Sequence, residues 1–526
     1  MKRALYRYIL FVIFVMLAVA GIFFLRKPHK ISKELDLLTP QQRAAIIKGL
    51  PASSDMLTPD SPAVDTLRQS AKDANVVICV LDAARADHFG CYGYARETTP
   101  NFDKLAKESY LFANHFSQYT LTVPSTECLF SSQYPDTHGM PDPSYDEKDG
   151  NGDIQIKVPR EPSFTFPIGL EAAGYRTVLL TGSGRASPAF GIGLGFSEGY
   201  YHRSLKPFIR KDERRYTPTV LLRALESWLG RNSDARFFLY IHFGPPHRPY
   251  EQPAKYTRLF EQQVPPGFFA ANYAPGKYLF PLRVESDPAD GPPLPEWINL
   301  YDANLRYGDW AIGEVKKLLE KHGRYDKTLL IITSDHGESF GEHGFVWHAG
   351  GIYNEATHIP LLIRLPGRNA AAKRIGALTQ TIDILPTVYD LLQTPFPKRE
   401  VQGKTLLPLM SGSKQAVHET SFTRSDGPPK YMVRDLHNSL LVYANPQWRA
   451  LYNTDTDPEL KKNIIAAEPQ KAQALYQTFL KFANAQKYPP TEFSGVTARR
   501  SAKRDERNLN LTPEMQRDLK SLGYLK

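Results

Sequence analysis

Short apolar runs, each followed by a stretch with helical repeat, set the pattern of this chain from about residue 75 onward. Residues 76–81 (VVICVL) are apolar at every position, which predicts a strand buried on both faces, and the run ends at Asp82. Further strands are predicted at 177–180, 237–241, 328–333 and 359–363. Helices fit between them at 99–108, opened by Thr-Pro, and at 166–173, 218–229 and 302–322. Strands alternating with helices of about 10–20 residues predict an α/β fold, a doubly wound, mainly parallel sheet flanked by helices. This unit is expected to run over 75–370. Between about 251 and 300 the chain turns Pro-rich and aperiodic, as expected of an ordered insert over the site. A smaller C-terminal α+β subdomain is expected over 371–488, with a helix at 381–392 and strands near 431–433 and 439–443.

Upstream, Tyr8–Leu25 passes eighteen residues without a charge, flanked by Lys2, Arg3 and Arg7 before and Arg26, Lys27, Lys30 and Lys33 after. That length spans a hydrocarbon core as one helix, so residues 1–33 are expected to be a single-pass membrane anchor and 34–74 a polar linker. A signal peptide cleaved after Ala18-Val-Ala20 is the alternative. The apolar run continues past that site to Leu25, which favours retention.

Composition changes this picture in two places. Of the 526 residues 42% are hydrophobic and 23% charged, a globular balance that excludes a disordered or fibrous chain. The net charge of +10 suggests nucleic acid until it is divided along the chain: residues 1–33 hold seven Lys/Arg and no acid, and 489–526 hold eight against five. The basicity therefore belongs to a membrane-flanking end and a basic tail, and no nucleic-acid partner is expected. Three cysteines, Cys79, Cys91 and Cys128, are too few for a disulfide framework; a Cys79–Cys91 bridge stays open for a body outside the cytoplasm.

Ligands in doubly wound sheets sit beyond the carboxyl ends of the strands. There the sequence places Asp82, His242 and the string Ser334-Asp335-His336-Gly337. Two carboxylates and an imidazole suit zinc or a similar divalent ion, although strand-end aspartates are also common as helix caps. Residues 118–132 (QYTLTVPSTECLFSS) are dense in hydroxyls ahead of an apolar stretch able to start a helix. A hydroxyl there meets unpaired N–H groups and the positive end of the helix dipole, a setting for anion binding as well as for ordinary capping.

Residues 81–94 (LDAARADHFGCYGY) with 98–103 (TTPNFD) resemble the opening motif of sulfatases in the alkaline phosphatase superfamily. Residues 333–344 (TSDHGESFGEHG) with His348 resemble their second metal motif, and 237–250 (FFLYIHFGPPHRPY) their central histidine block. Leu451-Tyr-Asn, Asp457-Pro-Glu459 and the closing 522–525 resemble their C-terminal signatures, so the likeness covers about 72–526. It implies Asp82, Asp335 and His336 on one divalent metal and Thr122 at the nucleophile position, also touching the metal. It further implies His242, His247 and His348 as groups that meet substrate or protonate the leaving group, and Ser125 beside them at the substrate. Zinc is favoured; calcium, magnesium and manganese are common among relatives.

The departures shift the expected chemistry. Where sulfatases carry a Cys or Ser converted to formylglycine and followed by an Arg, this chain has Thr122-Val-Pro-Ser-Thr126, which cannot undergo that conversion. Ala83 replaces a second acidic ligand, and Gly182-Ser183-Gly184 replaces a Lys-bearing block. The spacing of Thr122, Ser125, Cys128, Phe130 and Ser131 resembles instead the phosphoethanolamine transferases of the same superfamily. The resemblance thus implies a membrane-anchored, metal-dependent hydrolase or transferase acting on a phosphate or sulfate ester of an envelope glycan or lipid. Its body is expected to face the periplasm or exterior from the cell inner membrane. A formylglycine-independent sulfatase and a degenerate glycan-binding scaffold are the other readings.

Overall fold

The computed structural model of the protein describes residues 40–49, 61–140, 155–159, 164–192, 195–211, 213, 216–250, 252–260, 294–348, 350–367, 372–397, 400–425, 429–444, 448–497 and 506–510. The expected membrane span at 8–25 and most of the Pro-rich insert lie outside the described residues. No described helix is long and apolar enough to cross a membrane.

In chain order the large sheet is built from β1 (Asn75–Asp82), β2 (Tyr110–Phe116), β3 (Arg176–Thr181), β4 (Glu198–Tyr200), β5 (Phe237–Pro246), β6 (Thr328–Ser334), β7 (Leu361–Arg364) and β8 (Lys373–Gln380). Their order across the sheet is β8-β2-β7-β6-β1-β5-β3-β4. β1 lies centrally, parallel to β5 and to β6. Only β7 runs against its neighbours. The sheet is therefore mainly parallel, as the apolar runs indicated.

Alternation along β1 explains the two layers. Val76, Ile78 and Val80 pack on one face with helices α2 (Pro62–Ala71), α4 (Thr122–Ser131), α5 (Phe166–Ala172) and α8 (Ile384–Leu391). Val77, Cys79 and Leu81 pack on the other with α3 (Pro100–Ala106), α6 (Pro218–Arg231) and α7 (Leu294–Lys321). Because both faces are covered, every position of β1 is buried.

Several expected boundaries move. The stretch 34–74 is more than a linker: α1 (Pro40–Lys48) and α2 occupy part of it, and α2 buries Val64, Leu67 and Ala71 in the core. Within α2, Arg68 donates from Nε to Asp390 Oδ1 at 3.0 Å, tying the helix to α8. Helix α7 begins at Leu294, inside the expected insert. The boundary at 370 falls within the large sheet, since β8 pairs in parallel with β2. The separate C-terminal unit starts near 421, where β9 (Ser421–Ser425), β10 (Lys430–Arg434), β11 (Asn438–Tyr443) and β12 (Trp448–Asn453) form an antiparallel meander. Helix α9 (Pro469–Ala485) covers one face of it with Leu475, Phe479 and Ala483. Residues 506–510 of the basic tail pair with 155–159. Cys79 and Cys91 are free thiols, so the bridge left open above is not formed.

Candidate active site

The parallel strands deliver their polar ends to one rim. Asp82 ends β1, and Asp335-His336 follows β6, its immediate neighbour. One ligand atom from each of Asp82, Asp335 and His336 lies within 4.8 Å of the others, and all three side chains are buried. The turn after β1 locks this arrangement. Ala83 adopts φ of +63°, which costs a non-glycine residue about 1 kcal/mol. In return its N–H donates to Asp335 Oδ1 at 3.1 Å and that of Ala84 to Ser334 Oγ at 2.8 Å. Ala83, which replaces an expected acidic ligand, thus contributes backbone to the site.

His336 is oriented from behind: its Nδ1 donates to the Gly337 carbonyl at 2.9 Å, so Nε2 faces the carboxylates, 3.5 Å from Asp335 Oδ2 and 3.8 Å from Asp82 Oδ1. Thr122 opens helix α4, and its Oγ1 lies 3.2 Å from His336 Nε2. That hydroxyl sits at the positive end of a ten-residue helix.

The donor set fits a divalent ion on its own chemistry. Both Asp82 oxygens, Asp335 Oδ2 and His242 Nε2 are buried and lack hydrogen-bond partners among the described residues. Buried carboxylate oxygens are rarely left so unless a cation meets them. Electrostatics match. Burial would raise Asp82, yet His247, His242 and His336 outweigh it and hold the carboxyl well below its ordinary range. Burial and then the Asp82 charge push Asp335 up. For His336 burial lowers the pKa, but the two aspartates more than reverse that and leave it raised.

The remaining sequence-derived positions separate. His242 points into the carboxylates, with Nε2 3.3 Å from Asp82 Oδ2, while Tyr240 Oη lies 2.9 Å from its Nδ1. His247 and His348 pack as tilted rings with centroids 5.0 Å apart, and the His348 ring centroid is 4.4 Å from that of His336. Burial pushes His247 down to about 4 and His348 well below the usual imidazole range, the latter helped by His336. Both are neutral bases near pH 7. Ser125, expected to meet substrate, turns inward: it is 1% exposed and its hydroxyl donates to the Tyr119 carbonyl at 2.9 Å.

A family profile described as Sulfatase matches residues 74–394. The chain belongs to the sulfatase family. A second profile, N-sulphoglucosamine sulphohydrolase C-terminal, matches 341–487 and so includes the C-terminal meander. Among curated sulfatases, the N-acetylglucosamine-6-O-sulfatase of Bacteroides thetaiotaomicron is 24% identical, over 77% of this chain and 85% of its own length. Human iduronate 2-sulfatase is 25% identical over 66% and 70%. The phosphonate monoester hydrolase of Agrobacterium radiobacter shares the fold, with a TM-score of 0.63 at 21% identity, covering 78% of this chain and 95% of that one. Within this family the protein is a sulfatase-like ester hydrolase.

Set against the sulfatase pattern, three residues escaped the sequence reading. Glu338 is fully buried, accepts from His348 Nδ1 at 3.0 Å and is pushed up to about 6 by burial. Its place two residues after His336 was the available signal. Arg248 stacks on Trp347 at 3.6 Å, and Arg185 directly follows the block that lacks a lysine. The charges of both reach His348 and help keep it neutral. No local pattern marks an arginine for that duty.

Proposed function

We propose that this sulfatase-family protein cleaves or transfers a phosphate or sulfate ester of an envelope glycan or lipid, using Thr122 Oγ1 as the nucleophile. The observation that supports this most is the 3.2 Å approach of Thr122 Oγ1 to His336 Nε2 at the start of α4. Asp82, Asp335 and His336 would hold one divalent ion, with zinc favoured by an imidazole beside two carboxylates. Such an ion lowers the pKa of a hydroxyl beside it and offsets negative charge on a transferring group.

The chain's own groups account for the rest. Thr122 Oγ1 attacks phosphorus or sulfur in line, the ester bond to the leaving alcohol breaks, and the transferred group is left on threonine. The partly positive N-terminus of α4 favours charge on the equatorial oxygens. Because Glu338 holds the Nδ1 proton of His348, Nε2 is the basic nitrogen; the threonine proton is lost to solvent, and His348 Nε2, protonated in turn from solvent, gives a proton to the departing alcohol. His247 beside it excludes water and orients the ester. Water as second acceptor completes hydrolysis; an alcohol completes transfer.

The named relatives that act on saccharides, together with a glucosamine disulfate recorded as substrate in a structure of the same fold, favour a glycan ester. The apolar segment 8–25 would anchor the body to the inner membrane, facing the periplasm or exterior. Intact-mass analysis after exposure to aryl phosphate, phosphodiester and aryl sulfate tests the chemistry. An adduct that disappears in Thr122→Ala supports it and names the group transferred. Turnover of any of the three that survives unchanged in Thr122→Ala sinks it.

A further inference from the structure

Strand β5 carries one ionisable side chain that the reaction proposed above does not use. His242 is fully buried in an otherwise apolar run, a position that costs free energy unless both ring nitrogens are met. It is the register partner of Val80 on β1 and follows Tyr240 by two residues, so all three point to the face of the sheet covered by α4. Its Nδ1 is met: Tyr240 Oη lies 2.9 Å away. Its Nε2 lies 3.3 Å from Asp82 Oδ2 and 3.8 Å from Asp335 Oδ2, without the geometry of a hydrogen bond to either.

The two imidazoles share the same carboxylates. Asp82 offers Oδ1 to His336 Nε2 at 3.8 Å and Oδ2 to His242 Nε2, while Asp335 Oδ2 stands 3.5 Å from the first nitrogen and 3.8 Å from the second. Two atoms bound to one zinc ion at about 2.0–2.2 Å each are no more than about 4.4 Å apart, and all four of these nitrogen–oxygen pairs fall inside that limit. Both rings are also held alike. A metal-bound histidine almost always donates its other ring N–H to a fixed acceptor; the Gly337 carbonyl serves His336 in this way, and Tyr240 Oη is placed to serve His242. The site has, moreover, given up an oxygen donor, since Ala83 stands where the family resemblance leads to a second acid.

We propose that His242 Nε2 is a further ligand of the ion held by Asp82, Asp335 and His336, and that this second imidazole makes the site take zinc in preference to calcium or magnesium. Imidazole suits zinc, whereas calcium and magnesium take oxygen donors. The inference rests on the single-ion reading above and not on Thr122 as nucleophile. X-ray absorption at the zinc edge of the zinc-loaded full chain counts the imidazoles on the ion: two are expected, and a count of one overturns the proposal without recourse to any variant. Calorimetric titration with zinc and with calcium gives the affinities. His242→Ala should weaken zinc at least about a hundredfold and Tyr240→Phe about tenfold, while His242→Asp should weaken zinc and narrow its lead over calcium. Thermal midpoints of the metal-free variants, matched to that of the wild type, separate loss of a ligand from misfolding. Zinc affinity unchanged in His242→Ala, or calcium bound by the wild type as tightly as zinc, overturns the proposal and leaves the reading of Asp82, Asp335 and His336 standing. A wild-type chain that binds no zinc overturns both.

Discussion

Gly337 shows how little room the site has, and Gly337→Ala measures it. A Cβ built there would lie 2.0 Å from the Glu355 carbonyl oxygen, 3.0 Å from its carbon and 3.2 Å from Ala356 Cα. All three are backbone atoms, so no side chain can swing away. Gly337 does not have positive φ, and space alone excludes a side chain. Relief requires a backbone shift of about 1 Å or more. The Gly337 N–H also donates to the Ala356 carbonyl at 2.9 Å, so the two segments cannot part without losing a hydrogen bond. Overpacking of this kind costs about 1–3 kcal/mol. A catalytic effect of similar size should accompany it, because the Gly337 carbonyl is what orients His336. A displacement of about 1 Å at a reacting group costs roughly a hundredfold in rate. The assay is a denaturant midpoint together with aryl-ester turnover. Gly376→Ala is the control, since a Cβ there meets nothing within 4 Å. A Gly337→Ala protein with the wild-type midpoint and wild-type turnover would refute the packing argument.

Three other expectations follow from buried charge. Removing Arg68 alone takes a guanidinium away from the buried Asp390 carboxylate, so Arg68→Ala should lose about 3–5 kcal/mol in denaturant unfolding, and Arg68→Met with Asp390→Leu should recover much of it. Burial pushes Glu127 up to about 8, so the folded chain holds a proton that the unfolded chain releases near pH 4.5. Stability should therefore fall by a few kcal/mol as pH rises from about 4.5 to about 8 and then level off, and Glu127→Gln should flatten that slope in a pH series of midpoints. Chelation should lower the thermal midpoint and added zinc restore it. Asp82→Asn should abolish the response to zinc and lower the midpoint of the chelated protein near pH 7, because the folded state holds the Asp82 carboxyl below its ordinary range and so draws stability from its charge.

Legibility in the sequence tracked how local the cause was. Strands β1, β5 and β6 were readable because burial on both faces makes them apolar throughout, and their polar last residues marked the rim. Strand β2 (YLFANHF) and strand β8 (KRIGALTQ) were missed: polar residues interrupt both, and their pairing joins positions more than 260 apart. Helix α2 read as linker because its apolar stripe is short and its anchor, Asp390, lies 322 residues away. Asp82, Asp335 and His336 could be placed from strand ends, and Thr122 from the resemblance to the family's nucleophile motif. Ser125 could not be judged that way, since its partner is the Tyr119 carbonyl, fixed by a turn that no motif encodes.

The position of β1 bears on how the chain is made. Its two edges wait for β5 and β6, and 252 residues separate Ala83 from the Asp335 side chain it bonds. Strand β5 emerges first, about 155 residues after β1, so at ordinary rates of synthesis the apolar run 76–81 has no hydrogen-bonding neighbour for roughly 8–30 s and waits longer for β6. The emerging protein therefore depends on something to shield residues 75–82 until its own later strands arrive, and a ribosome stall between them would leave a sticky fragment in place of half an enzyme.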